Sequence, residues 1–404
     1  MFQPIVALDT ATTVAYEALS RGPVDTPLES PDALFAAARS ASRVIELDWT
    51  CRCAAFRAAF ESGLRAPTRL FVNTEPLAVG AGCPTHLVAD WMLAYRELDI
   101  VVELTERFLL DAPAELLRVR GTLEELGWEL ALDDVGAGDA GVALLPVLKP
   151  GVVKLDRSLL AATPDRAQRA VLTAVQAYVE RSGATMVAEG IEDERGLQRA
   201  QALGAHWGQG WLFGRPAPLA VPPAPPAPVR RGPSATRGSR AREDPFDALA
   251  SGGSEQPHST GVVRRGLTSV CLAAREADPG ALLLVQLGSR ELEPDGLYAL
   301  LHELRGTCAL VVLLTGADVP VRSQTLRTTV LDDREDSARD GAAVLLGPDR
   351  SQAFLARPAA DGPGAWRTRS SHDRVLVEQT AQALLSRAAP LRRGGHREQV
   401  LSAC

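Results

Sequence analysis

The chain has 404 residues, is 46% hydrophobic and carries a formal net charge of -7. That length and apolar content suit two packed domains. The negative charge argues against a general nucleic-acid binder or a polybasic membrane-surface protein, although metal ions can still recruit an anionic ligand to an acidic protein.

In chain order, short strand-type runs alternate with amphipathic stretches through the first half. Strands are expected at Pro4–Leu8, Val14–Leu19, Leu70–Asn73, Val101–Leu104, Glu129–Asp133, Val152–Leu155, Thr185–Ala188 and Gly210–Phe213. Only Asp9–Thr13 separate the first two, too few for a helical crossover, so a hairpin is expected and the first strand should run antiparallel to the rest. A helix is expected at Pro31–Ser40 behind Ser30 as N-cap. Another is expected at Pro164–Ser182, with Thr163 as N-cap and Gly183 as its stop. Eight strands with helices between them predict an α/β fold, a (β/α)8 barrel.

The proline-dense run Val221–Pro228 and the Arg/Ser/Gly stretch after it mark residues 217–243 as a linker, semi-rigid and then flexible. It divides a first domain, 1–216, from a second, 244–390, with 391–404 as a frayed tail. In the second domain, Ala281–Leu287 and Cys308–Leu314 read as buried strands around a helix at Leu297–Arg305, a βαβ start. A hairpin is expected from Ala342–Leu346 to Ala353–Ala356, and a closing helix at Val375–Arg387. His302 and His372 read as ordinary surface histidines. The six cysteines, at 51, 53, 83, 271, 308 and 404, form no disulfide framework and no pair of CxxC motifs, which fits a reducing, cytoplasmic setting. No apolar run approaches the about 18–20 residues that span a bilayer. Met1-Phe2-Gln3-Pro4 lacks the basic-then-apolar pattern of a leader.

Barrel active sites lie at the C-terminal ends of the strands. Those ends carry Glu17, Asn73, Glu103 with Glu106 after it, Asp133-Asp134, Lys154 with Asp156, and Glu189; Gln209 precedes the eighth strand. A single carboxylate there reads as a solvated loop residue, and Asp-Asp as a turn or cap. Several around one mouth would repel one another without compensation. Divalent cations supply it, and carboxylate and amide oxygens suit Mg2+ or Mn2+. Two such ions can clamp a phosphodiester. Lys154 is one of only two lysines, with Lys149, in a chain whose other basic residues are arginine. A position that keeps lysine can need its compact, deprotonatable amine, while chance survival accounts for at least one of the two.

Eight segments in order resemble the EAL phosphodiesterase family, which hydrolyses cyclic di-GMP to linear pGpG. They are Phe2-Gln3-Pro4-Ile5-Val6, Tyr16-Glu17-Ala18-Leu19-Ser20-Arg21, Phe71-Val72-Asn73, Glu103-Leu104-Thr105-Glu106, Ala131-Leu132-Asp133-Asp134-Val135-Gly136, Val153-Lys154-Leu155-Asp156, Val187-Ala188-Glu189-Gly190-Ile191-Glu192 and Gly208–Pro216. The resemblance implies a (β/α)8 barrel with an antiparallel first strand. It implies two ions, Mg2+ or Mn2+, on Glu17, Asn73, Glu103, Asp133, Asp134 and Glu189. Lys154 would act on the attacking water and Gln209 would support it. Gln3, Leu19, Arg21 and Asp156 would face the dinucleotide, and Glu106 would anchor the loop after the fifth strand. A homodimer is expected on the same ground; no nucleic-acid polymer and no membrane are. The loop departs from the family pattern Asp-Asp-Phe-Gly-Thr-Gly-Tyr-Ser-Ser, reading Asp133-Asp134-Val135-Gly136-Ala137-Gly138-Asp139-Ala140-Gly141. This favours an alternative, a barrel that binds cyclic di-GMP or a protein without turnover. In the second domain, Gly341–Pro348 followed by Phe354–Arg357 resembles the DICT sensory domain, which implies a regulatory role.

Overall fold

A computed structural model describes residues 1–387 apart from 76, 77, 79, 80, 106–112, 137–140, 162, 220–243, 250–253, 317–326, 332–335, 361 and 363. The described residues fall into two units. One comprises those within 1–108, 118–138 and 149–238, the other those within 109–117, 139–148 and 239–404.

The first unit is a closed eight-stranded barrel. Its strands are β1 (Phe2–Ala7), β2 (Thr12–Ala18), β3 (Arg69–Asn73), β4 (Asp99–Thr105), β5 (Glu129–Val135), β6 (Val152–Leu155), β7 (Thr185–Ala188) and β8 (Trp207–Gln209). β1 pairs antiparallel with both β2 and β8, and every other pairing is parallel. The expected hairpin and reversed first strand are therefore present. Two expectations are corrected. The eighth strand is Trp207–Gln209, ahead of the expected Gly210–Phe213, because Gly210 (φ +156°) and Gly214 turn the chain out of the sheet there; Gln209 thus ends the strand and does not precede it. The helix expected from Pro164 begins at Arg166, because Asp165 forms a capping box with Gln168 and outcompetes Thr163 as N-cap. Helices α1 (Pro31–Ser40) and α2 (Val44–Glu61) lie between β2 and β3, and α1 has the Ser30 cap.

Alternation along the strands builds the interior in layers. Ile5, Ala15, Phe71, Val101, Ala131, Val152, Val187 and Trp207 belong to one buried cluster. Residues two apart on a strand face the same side. Two positions on from these lie Glu17, Asn73, Glu103, Asp133, Lys154, Glu189 and Gln209; on the reversed β1 the equivalent is Gln3, two positions back. A polar layer thus sits about 7 Å above an apolar plug.

Gly210 is required by close approach. A Cβ there would lie 2.1 Å from the carbonyl oxygen of Ile191 and 2.4 Å from its nitrogen. Gly210→Ala is expected to destabilise the barrel by about 3 kcal/mol, seen as a lowered urea midpoint. An unchanged midpoint would show that this turn is free to move.

The second unit is a seven-stranded mixed sheet in the order β12-β11-β10-β13-β14-β15-β9. These are β9 (Ser254–Ser259), β10 (Leu282–Leu287), β11 (Leu310–Thr315), β12 (Arg327–Val330), β13 (Gly341–Leu346), β14 (Ser351–Pro358) and β15 (Ala365–Ser371). β10 and β11 are parallel across a helix at Leu297–Leu304, and β13 and β14 form a hairpin, both as expected. All six residues of β10 are buried, as a central strand covered on both faces requires. A helix at Thr260–Ala273 supplies Val263, Leu267 and Val270 to one core, and the closing helix Arg374–Leu385 buries Val377, Ala381 and Leu384. Among the described residues, no helix is long and apolar enough to cross a membrane.

Candidate metal centre

Lys154 is the centre of the polar layer. It is 1% exposed, and its Nζ lies 2.6 Å from Glu189 Oε1, 2.7 Å from Glu103 Oε1, 3.0 Å from Asp133 Oδ1 and 3.4 Å from Glu17 Oε2. Five different strands or strand ends deliver these groups, so only barrel closure brings them together. Burial disfavours the ammonium, yet Asp133, Glu103, Glu17 and Glu189 outweigh it and hold Lys154 well above the usual lysine range. Lys154 is therefore held as a cation, which corrects the expectation of a deprotonatable amine at this position.

The carboxylates divide according to their surroundings. Glu17 is buried, but Lys154, Gln209 and Asn73 hold it below the usual range. Its Oε2 accepts from Gln209 Nε2 at 2.6 Å and its Oε1 from Asn73 Nδ2 at 2.9 Å. Glu103 is pushed well up by burial and by repulsion from Glu17. Burial pushes Glu189 up to about 8, against the pull of Lys154. One cation facing four acids leaves the site with charge to spare for positive ions.

Asp133 and Asp134 are adjacent, and neighbours on a regular strand point to opposite faces. The pairing of β5 with β6 shifts register between Leu132 and Val135, and Asp134 has a left-handed φ of +57°. This bulge lets both carboxylates serve one site. Ligand atoms of Asp133, Asp134 and Glu189 all lie within 4.8 Å of one another. Both Glu103 Oε2 and Gln209 Oε1 are buried without a hydrogen-bond partner. Oxygen donors this close, with orphaned acceptors among them, fit hard divalent cations.

The remaining expected residues are placed less centrally. Gln3 accepts from Gln209 at 3.1 Å and donates to the Gly214 carbonyl at 3.1 Å, so it joins the polar layer. Leu19 meets Met1 through its backbone. Arg21 is exposed, donates to the Ser20 carbonyl at 2.7 Å, and lines an open cavity of about 540 Å³ with Thr26, Pro27, Glu29, Ser30 and Pro31. Asp156 accepts from the Ser158 amide at 2.9 Å, capping the short helical turn Arg157–Leu160. Glu106 and loop positions 137–140 lie outside the described residues. Sequence reading did not single out a buried ion pair, Asp48–Arg52 on α2, 2.7 Å long; its i,i+4 spacing was the available signal.

A family model described as "EAL domain" matches residues 1–216. The chain is 30% identical to the cyclic di-GMP phosphodiesterase RocR of Pseudomonas aeruginosa over 158 residues, 38% of this chain and 40% of that protein. It is 33% identical to the probable cyclic di-GMP phosphodiesterase PdeD of Escherichia coli over 131 residues, 32% of this chain and 24% of that one. Each match thus spans less than half of the relative's own length. A solved manganese and cyclic di-GMP complex of Klebsiella pneumoniae BlrP1 is similar at 28% identity and a TM-score of 0.48, covering 55% of this chain and 56% of that one. With the family model spanning more than half of its length, the chain belongs to the EAL domain family.

Proposed function

We propose that the barrel hydrolyses cyclic di-GMP to linear pGpG with two divalent ions, Mg2+ or Mn2+. The observation that carries this reading is the single buried lysine ringed by four carboxylates at 2.6–3.4 Å. Glu17, Asn73, Glu103, Asp133, Asp134 and Glu189 would hold the ions. Bound there, the ions would neutralise the acids, lower the pKa of water and stabilise charge developing at phosphorus.

The chain's own groups do the rest. Lys154, locked in its charged form, donates to the attacking water and keeps the acids from repelling one another. Gln209 and Asn73 fix both oxygens of Glu17. Gln3, Leu19, Arg21 and Asp156 hold the dinucleotide, Arg21 by forking onto phosphate oxygens. Water attacks in line and loses a proton to solvent, an O–P bond forms, the bond to the 3′ oxygen breaks, and that oxygen takes up a proton from solvent and leaves as a hydroxyl. The second unit, a DICT-like sensory domain in this reading, regulates the barrel, and two copies pair in a cytoplasmic setting.

Purified protein with cyclic di-GMP and Mn2+ or Mg2+ is expected to yield pGpG by chromatography. Binding without product would overturn the enzyme reading in favour of a receptor. The altered loop sequence, Val135 and Ala137 in place of the family's aromatic and hydroxyl residues, favours that second reading.

A further inference from the structure

Asn73 ends β3, and the chain must leave the sheet at once. Two hydrogen bonds set its exit. The Thr74 amide donates to the Glu103 carbonyl at 3.1 Å, and the Glu75 amide donates to Asp48 Oδ1 at 2.8 Å. The first tie is backbone to backbone and independent of side-chain identity. The second depends on one carboxylate, 2% exposed, on a helix that contributes nothing else to the polar layer.

Asp48 is costly to keep. Burial pushes its carboxyl up, against the pull of Arg52. Arg52 is 4% exposed, lies 3.9 Å over the Trp49 ring and leaves Nη2 without a partner. Buried ion pairs of this kind are often replaceable by apolar residues without loss of stability. An apolar pair, however, could not accept the Glu75 amide. Glu75 is held from its other side as well, its carboxylate pairing with Arg39 at 3.2 Å. Asp48 therefore has a geometric task that stability alone does not explain.

We propose that Asp48 is a positioning residue for Asn73: by fixing the Glu75 amide it sets where β3 turns out of the barrel, and so holds the Asn73 side chain beside Glu17 at the metal centre. This rests on the two-ion reading above. Its prediction is that the acceptor oxygen matters and the charge does not.

The test is Mn2+ uptake by the full chain, followed by the paramagnetic resonance signal of free Mn2+, with no substrate and no turnover. The double variant D48L/R52M is expected to stay folded, with at most a modest drop in thermal midpoint, but to lose about 10- to 100-fold in Mn2+ affinity, the size seen when a group supporting a metal ligand is removed. D48N/R52M, which keeps an oxygen for the Glu75 amide, is expected to bind Mn2+ like wild type. In an N73A background, D48L/R52M should cause no further loss. Unchanged affinity in D48L/R52M, loss in D48N/R52M equal to that in D48L/R52M, or a full additional loss in the N73A background overturns the proposal. Wild-type protein that takes up no Mn2+ overturns the two-ion reading itself, and this inference with it.

Discussion

Lys154→Met is expected to abolish turnover and, in metal-free protein, to destabilise the barrel by about 3–5 kcal/mol, the cost of leaving buried charge without its partner. Four acids lie within 3.4 Å of the lysine nitrogen, and among the described residues no other lysine or arginine is paired with any of them. Without the ammonium their folded pKa values rise above the unfolded ones. The folded state then binds more protons than the unfolded state, so the variant's stability falls as pH rises through that window. Divalent cations should replace the missing charge. Thermal unfolding in chelator is thus expected to show a wide gap between wild type and variant at pH 8. The gap should narrow at pH 5.5 and also with saturating Mn2+. A gap that ignores both pH and metal would mean that the acids are not the lysine's main partners.

Glu17→Gln is expected to cost about a thousandfold in kcat/KM, about 4 kcal/mol at 1.36 kcal/mol per decade. Three donors meet the Glu17 carboxylate: Gln209 at 2.6 Å, Asn73 at 2.9 Å and Lys154 at 3.4 Å. A carboxylate accepts from all three. A glutamine must turn its NH2 towards either Asn73 or the Gln209–Lys154 pair, creating a donor–donor conflict as well as removing a negative charge. Such a conflict destabilises by about 1–3 kcal/mol, well short of unfolding the barrel. Steady-state kinetics with cyclic di-GMP and Mn2+ measure the loss. Activity within tenfold of wild type would remove Glu17 from the set of ion-holding residues.

Much of this centre was legible because the barrel repeats one rule. Ala15-x-Glu17, Phe71-x-Asn73, Val101-x-Glu103, Ala131-x-Asp133, Val152-x-Lys154 and Val187-x-Glu189 each place an apolar residue and then a polar one on the same face; Trp207-x-Gln209 does so too, but the glycines after it drew the expected strand past Gln209. That spacing follows from strand geometry alone. Lys154's distances to its acids do not, since they depend on closure between residues up to 137 positions apart. The bulge at Asp134 was also hidden: pairing register is a property of two strands together. In the second unit, the helix Thr260–Ala273 carries Gly261 and Gly266, which propensity penalises. Packing explains one of them, because a Cβ on Gly266 would come within 2.6 Å of the Phe354 ring. β9, Ser-Glu-Gln-Pro-His-Ser, shows no apolar alternation because it is the sheet's edge.

The reversal of β1 reaches beyond the site itself. In an all-parallel barrel the first strand would start at the floor, away from the chemistry. Here Phe2 pairs with Ala18 at the C-terminal end of β2, and it exchanges backbone hydrogen bonds with Ala217 at 2.7 and 3.0 Å. The two ends of the barrel are therefore neighbours on the rim that carries the polar layer. The same adjacency makes the barrel a natural candidate for circular permutation, with a short bridge across the rim and new ends cut at the floor.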